Sequence, residues 1–213
     1  MPSALDVRKI RCLDGLHYAF QILRHDYADL WETCCEIPGN SEKIIPALAS
    51  AWGFIDALHR IREIAQSVPG LSAKHPETQA FLSTTGLAED YRHYVHHLRG
   101  ELVNDAANAY PVWGTLSWVD PANPTRSHMV VLGTQFEGTH YSGCSFDAVE
   151  KKWVSKVCLG MNGKSFNFDP VFLAAVKFEA FIVPFLDEKA SEHVGFQEEL
   201  PLISVDFIHG TRP

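Results

Sequence analysis

Basic residues are in short supply. The chain has 18 lysines and arginines against 26 aspartates and glutamates, a formal charge of −8 over 213 residues. Proteins that grip duplexes or long single strands carry basic stripes that displace condensed counterions. A broad nucleic-acid surface is therefore excluded, and any such contact must be local. Cysteine is sparse and unpaired: Cys12, Cys34, Cys35, Cys144 and Cys158 are odd in number and form no Cys-x-x-Cys spacing. That pattern argues against a disulfide framework or a zinc ribbon and suits reduced thiols in a cytoplasm. No apolar run reaches the roughly 18 residues of a membrane span. Asp6, Arg8, Lys9 and Arg11 precede any apolar stretch, which fits no signal peptide. A cytoplasmic protein without membrane contact is expected. The Gly-x-Ser-x-Gly of a serine hydrolase is missing, and Gly143-Cys144-Ser145 has no base positioned beside it. Repeats, low-complexity tracts and long linkers are lacking as well.

What is present is an apolar content of 46%, enough to bury a core. From Leu13 the apolar positions fall at Leu16, Phe20, Leu23, Tyr27, Leu30 and Cys34, an alternation of three and four that marks one amphipathic helix. Ile37-Pro38-Gly39-Asn40 stops it, and Asn40 or Ser41 can cap the next. A second helix is predicted from about Pro46 through Ala65, forming a helical hairpin with the first. Pro76 suits the start of a short third helix through Leu82. A fourth is predicted over residues 87–104, burying Leu87, Tyr91, Tyr94 or Val95, Leu98 and Leu102.

Beyond Tyr110 the pattern turns to β-formers. Residues 113–119 and 129–132 read as strands around the Asp120-Pro121-Ala122-Asn123-Pro124 turn. Residues 140–146 and 152–159 read as a hairpin, so an antiparallel meander of about four strands is expected. Gly160-Met161-Asn162-Gly163-Lys164-Ser165 lacks the first glycine of a phosphate-binding loop and reads as a turn. Asp169 caps and Pro170 opens a strongly apolar helix over residues 171–185, buried on more than one side, which Pro184 should kink or end. The Leu202-Ile203-Ser204-Val205-Asp206-Phe207 tail could add an edge strand or dock on another subunit. The expected fold class is α+β: an up-and-down helical bundle over residues 1–108, then a small antiparallel sheet and a buried helix over residues 109–213, packed as one unit.

The chemistry concentrates in Arg92-His93-Tyr94-Val95-His96-His97. A guanidinium that is always charged, followed by imidazoles that titrate near neutrality, suits phosphodiester chemistry. Upstream, Asp56 and Arg60 form an i,i+4 pair. The plain reading is a solvated ion pair, and the sharper one has Arg60 or Arg62 facing the histidine helix to help bind a phosphate.

On these residues the N-terminal half resembles the HEPN superfamily (higher eukaryotes and prokaryotes nucleotide-binding domains), small helical bundles that often dimerise. Arg92, His93 and His97 match its motif as Arg-His-x-x-x-His, on the late helix of a bundle covering roughly residues 10–108. The resemblance implies a metal-independent endoribonuclease with no cofactor, in which the ribose 2′-hydroxyl attacks the adjacent phosphate. His97 would be the general acid or base, Arg92 the electrostatic clamp, and His93 would orient the site. His96, four residues after Arg92, could take the role of His97 or bind substrate. The same resemblance implies a homodimer acting on RNA or nucleotides in a stress, toxin–antitoxin or defence setting, with a neutralising protein partner. At about 100° per residue, positions five apart diverge by about 140° on a regular helix. Arg92 must then sit in an opening turn, or the site must be shared across a two-fold dimer.

Two other readings fit the same residues. Asp90, His93 and His97, spaced three and four apart, fall on one helical face and could ligate a transition metal, completed by His17, His25 or His59. Alternatively the bundle is a non-catalytic nucleotide- or protein-binding module. Trp113, Trp118 and Trp153 then serve as sheet core or, less simply, as a stacking platform.

Overall fold

The structure, a computed structural model, describes residues 4–103 and 110–190. The boundary expected at 108/109 and the tail segment 202–207 lie outside the described residues.

The three-and-four stripe does form a helix, α1 (Ala4–Glu36), which begins well before Leu13. Leu13, Leu16, Phe20, Leu23, Leu30 and Cys34 are all buried along it. Two short 3-10 turns, Ile37–Gly39 and Ser41–Lys43, reverse the chain. Asn40 caps the second of them, its Oδ1 accepting from the Glu42 amide at 3.0 Å. The helix α2 (Ile44–Ser67) follows. Gly15 lies against Ile64, Gly53 against Asp26, and Ser50 bonds Asp29, so α1 and α2 run antiparallel. Pro76 opens α3 (Pro76–Thr84), and the His75 ring accepts from the Glu77 amide as its cap.

The fourth helix differs from expectation. Instead of running to residue 104, α4 (Leu87–His96) ends at His97, and a single turn, α5 (Leu98–Glu101), follows. Gly100, inside that single turn, lowers helical propensity just past the break. The break turns Leu98 onto the core, whereas Leu102, expected to be buried, is 55% exposed.

The sheet is antiparallel but is not a simple meander. Strands β1 (Thr115–Val119), β2 (Ser127–Val131), β5 (Val157–Met161) and β6 (Lys164–Asn167) pair in the order β2-β1-β5-β6. Strands β3 (Phe146–Asp147) and β4 (Lys152–Trp153) form a separate two-residue hairpin, far shorter than the sequence suggests. The stretch before it serves another purpose. The Thr115 hydroxyl bonds the Ser142 carbonyl, and the Cys144 amide donates to Ser117 Oγ at 2.8 Å, so this segment covers one face of β1. The core covers the other, which is why every residue of β1 and β5 is buried. Asn162 and Gly163, with φ of 48° and 73°, make the tight turn between β5 and β6.

Helix α6 (Phe168–Ala190) packs on α1, α3 and β5. Its rings interlock with theirs and with α2: Phe172 stacks on Tyr27 at 4.1 Å, Phe178 on Phe81 at 4.3 Å, and Phe168 meets Phe54 edge-on at 5.1 Å. The outward side is not covered, and Leu173 is 65% exposed. Pro184 does not end the helix, since Ile182 and Leu186 on either side are fully buried and hold it in place. Asp169 is not the cap expected of it. Ser155 Oγ accepts the Asp169 amide, freeing the carboxylate to accept from Tyr27 Oη at 2.5 Å and from the Lys156 amide at 2.8 Å. One carboxylate thus ties together α1, the loop before β5, and α6. No described helix is long and apolar enough to cross a membrane.

The exchange Asp169→Ala leaves a half-buried hydroxyl and an amide without their acceptor. It is expected to cost about 1–3 kcal/mol, seen as a lower urea midpoint with an unchanged slope. An unchanged midpoint would show that the three elements hold together without it.

Candidate functional site

Helix α4 is fastened to the molecule by one side. Ala88, Tyr91 and Tyr94 are buried at three-residue spacing, and both tyrosines reach through the core to bond backbone. Tyr91 Oη donates to the Leu159 and Lys164 carbonyls at 2.7 and 3.0 Å, and Tyr94 Oη to the Val112 carbonyl at 2.8 Å. Burial pushes both phenols above their ordinary pKa, so they stay neutral donors. The opposite face, with Arg92, His93 and His96, is left open.

That face and α2 enclose an open depression of about 480 Å³, lined by His59, Glu89, Asp90, Arg92, His93, His96 and His97. The three residues of the motif, with His96, therefore line one depression of a single chain, although Arg92 and His97 lie five positions apart. No turn opens at Arg92, which sits inside the continuous helix, and the depression is broad enough to be bordered by both residues. His93 and His97 have ring centroids 4.3 Å apart. His97, where the helix breaks, keeps its amide bonded to the His93 carbonyl, which holds the pair on one line. His59 Nδ1 is covered and has no hydrogen-bond partner among the described residues.

The flanking charges are arranged in pairs. Arg92 forms an ion pair with Asp56, and the other oxygen of Asp56 accepts from Arg60 Nε at 2.7 Å. Asp90 binds Lys164 Nζ at 2.7 Å. Arg60 is present as the plain i,i+4 pair, its side chain 62% exposed, and it does not line the depression. Arg62 does not line it either. Its guanidinium is buried and donates to the Leu82 carbonyl, Thr85 Oγ1 and Glu89 Oε1 at 2.5–2.6 Å. This arginine joins α2 to α3 and the start of α4 as a structural tie, with its donors turned to those partners.

Asp90, His93, His97 and His59 all reach the depression, but among the described residues no group of three or more His, Cys, Asp or Glu is arranged to hold a metal. His17 bonds Gln21 on α1, and neither it nor His25 lines the site. No thiol is activated: burial raises the pKa of Cys144, and that of Cys158 is pushed up to about 12.

A second, mostly apolar depression of about 380 Å³ adjoins the first. Trp52, Ile55, Asp56, Val95 and Trp113 line it, with Arg92 and His96 forming walls of both. Trp52 and Trp113 meet edge-on at 6.3 Å. Of the three tryptophans in the sheet half, Trp118 is core, Trp153 donates to the Pro124 carbonyl, and Trp113 is 39% exposed beside the histidines. The sequence reading did not identify Trp52 or Asp56 as parts of this face. The signal was available in the spacing: Trp52, Asp56 and His59 are four and three apart, a second stripe on α2 beside the buried one. Compared with protein-family models, curated proteins and solved structures, the chain matches none of them.

The two arginines of α2 are expected to separate cleanly. Arg62→Ala strips a buried network and should lower stability by about 1.5–3 kcal/mol. Arg60→Ala, at the surface, should stay within about 0.5 kcal/mol of the parent in the same denaturation experiment. Equal effects would contradict the structural role of Arg62.

Proposed function

We propose that the chain is an HEPN-like RNA-binding protein that cleaves phosphodiester bonds without a metal, at the depression between α2 and α4. The observation that supports this best is that Arg92 and His97 line one depression together with His93 and His96. The chemistry needs two proton transfers and one stabilised charge. The ribose 2′-oxygen bonds to phosphorus as the bond to the 5′-oxygen breaks, leaving a 2′,3′-cyclic phosphate and a 5′-hydroxyl. His97 accepts the 2′-hydroxyl proton, with His93 against its ring to fix its orientation. His96, on the same helical line as Arg92, is our choice for returning a proton to the departing 5′-oxygen. Arg92 stabilises the charge that builds on the phosphoryl oxygens.

The local charge is compatible with this despite the acidic whole. The three acids that line the two depressions are each neutralised by a cation, Asp56 by Arg92 and Arg60, Glu89 by Arg62 and Asp90 by Lys164. A homodimer, a neutralising protein partner and a defence setting belong to the same proposal through the resemblance. The hold of Asp56 on Arg92 favours a second reading, a module that binds nucleotide without turnover.

Purified protein incubated with a labelled RNA should yield 2′,3′-cyclic phosphate ends whether or not a chelator is present. His97→Ala or Arg92→Ala should lower the rate by about 10²–10⁴-fold. Undiminished cleavage in both variants would refute the assignment, and RNA binding without any cleavage by the parent would select the second reading.

A further inference from the structure

The aromatic depression beside the histidines is not used by the cleavage chemistry, and its composition is specific. Two indoles stand edge to face at 6.3 Å, with Ile55 and Val95 beside them. Trp113 is fixed by its backbone: its amide bonds the Leu132 carbonyl at 3.1 Å, and Gly114 turns the chain at a φ of 75°. A Cβ at Gly114 would run into the Gly160 carbonyl, so only glycine fits there. The backbone thus presents a large aromatic ring at the surface, against Trp52, rather than folding it into the core.

We infer that this depression receives the base of the nucleotide whose phosphate lies at Arg92. The inference rests on the reading of the histidine depression as a phosphodiester site. Its own basis is the pair of shared walls. Arg92 and His96 border both spaces, so a ligand filling both has a flat apolar part joined at short range to an anion. A nucleotide has that form, and every base has a face that stacks on indole. What separates a base from a hydrocarbon occupant is the shared wall itself: a base arrives joined to an anion that Arg92 can meet, and an aliphatic side chain carries none at that range.

Isothermal titration calorimetry of the full chain with adenosine 5′-monophosphate and with ribose 5-phosphate tests this, since the second carries a hydroxyl where the first carries its base. The nucleotide should bind at least tenfold more tightly. Trp113→Ala should weaken nucleotide binding by about 5- to 150-fold and leave ribose 5-phosphate unchanged, while Trp113→Phe retains most of the affinity. Should the alanine variant fail to melt cooperatively, the phenylalanine variant and the two-ligand comparison carry the test. Equal affinities for the two ligands, no nucleotide binding, or indifference to Trp113→Ala would each overturn the base subsite. The two proposals fail separately. Nucleotide binding that depends on Trp113 in a protein with no cleavage keeps the subsite and removes the nuclease. Cleavage that depends on His97 while Trp113→Ala changes neither nucleotide affinity nor the KM for RNA does the reverse.

Discussion

The orientation of α4 depends on two tyrosines that are apolar enough to enter the core and polar enough to need a partner at the far end. Tyr91 and Tyr94 bury their rings against α2 and the sheet and direct their hydroxyls at backbone carbonyls of the second half of the chain. A buried phenol without an acceptor is costly, so the helix cannot rotate about its axis without losing those bonds. With Tyr91 and Tyr94 inward, helical geometry leaves Arg92, His93 and His96 outward. The candidate site is the outer face of an anchored helix.

That anchoring also explains why the two halves form one body. The residues that tie α4 down come from β5, β6 and the approach to β1, and the core is a single cluster running from Cys12 to Leu186. Phe54 of α2, Phe166 of β6 and Phe168 of α6 pack ring against ring at its centre. Asp169 then closes the arrangement from the other side by linking α1 to the sheet. Removing the β-rich half would leave Tyr91 and Tyr94 with no carbonyls to reach and would strip Phe172 from Tyr27 and Phe178 from Phe81, so the bundle that carries the motif shares its core with that half.

The helices were legible because their burial is one-sided and periodic: Leu13 to Cys34 on α1, and Ala51 to Ala65 on α2, fall where the spacing puts them. The end of α4 was not, since Leu98 and Leu102 continue the same spacing and the break at His97 depends on what Leu98 finds to pack against. The sheet was legible as strands but not as an order, because β1 pairs with β5 across an interval of thirty-odd residues, a long-range choice that local pattern does not encode. Most of the site could be read locally, since Arg92, His93, His96 and His97 lie within two turns. The burial of Arg62 was not legible, because a charged residue on a polar stretch gives no sign that acceptors from α3, the turn after it and α4 will enclose it. Trp113 stayed ambiguous for a related reason: alternation places it on a strand, while the turn at Gly114 moves it out of the sheet.

The pairing of Arg92 with Asp56 raises the question of whether a phosphate could take that guanidinium. Both side chains are about one-third exposed, so the ion pair is solvated and worth about 0–1 kcal/mol. A phosphate offers two oxygens in one plane to the arginine fork, a geometry roughly twice as strong as a neutral hydrogen bond. Asp56 is not stranded by the exchange, because its other oxygen already accepts from Arg60, which moves with it on the same helix. Arg92 also has donors to spare, so a phosphate need not displace the carboxylate completely. The acid therefore does not block the site. It keeps the guanidinium extended toward α2, at the wall common to the polar and the aromatic depressions, where an anion attached to a flat ring would meet it.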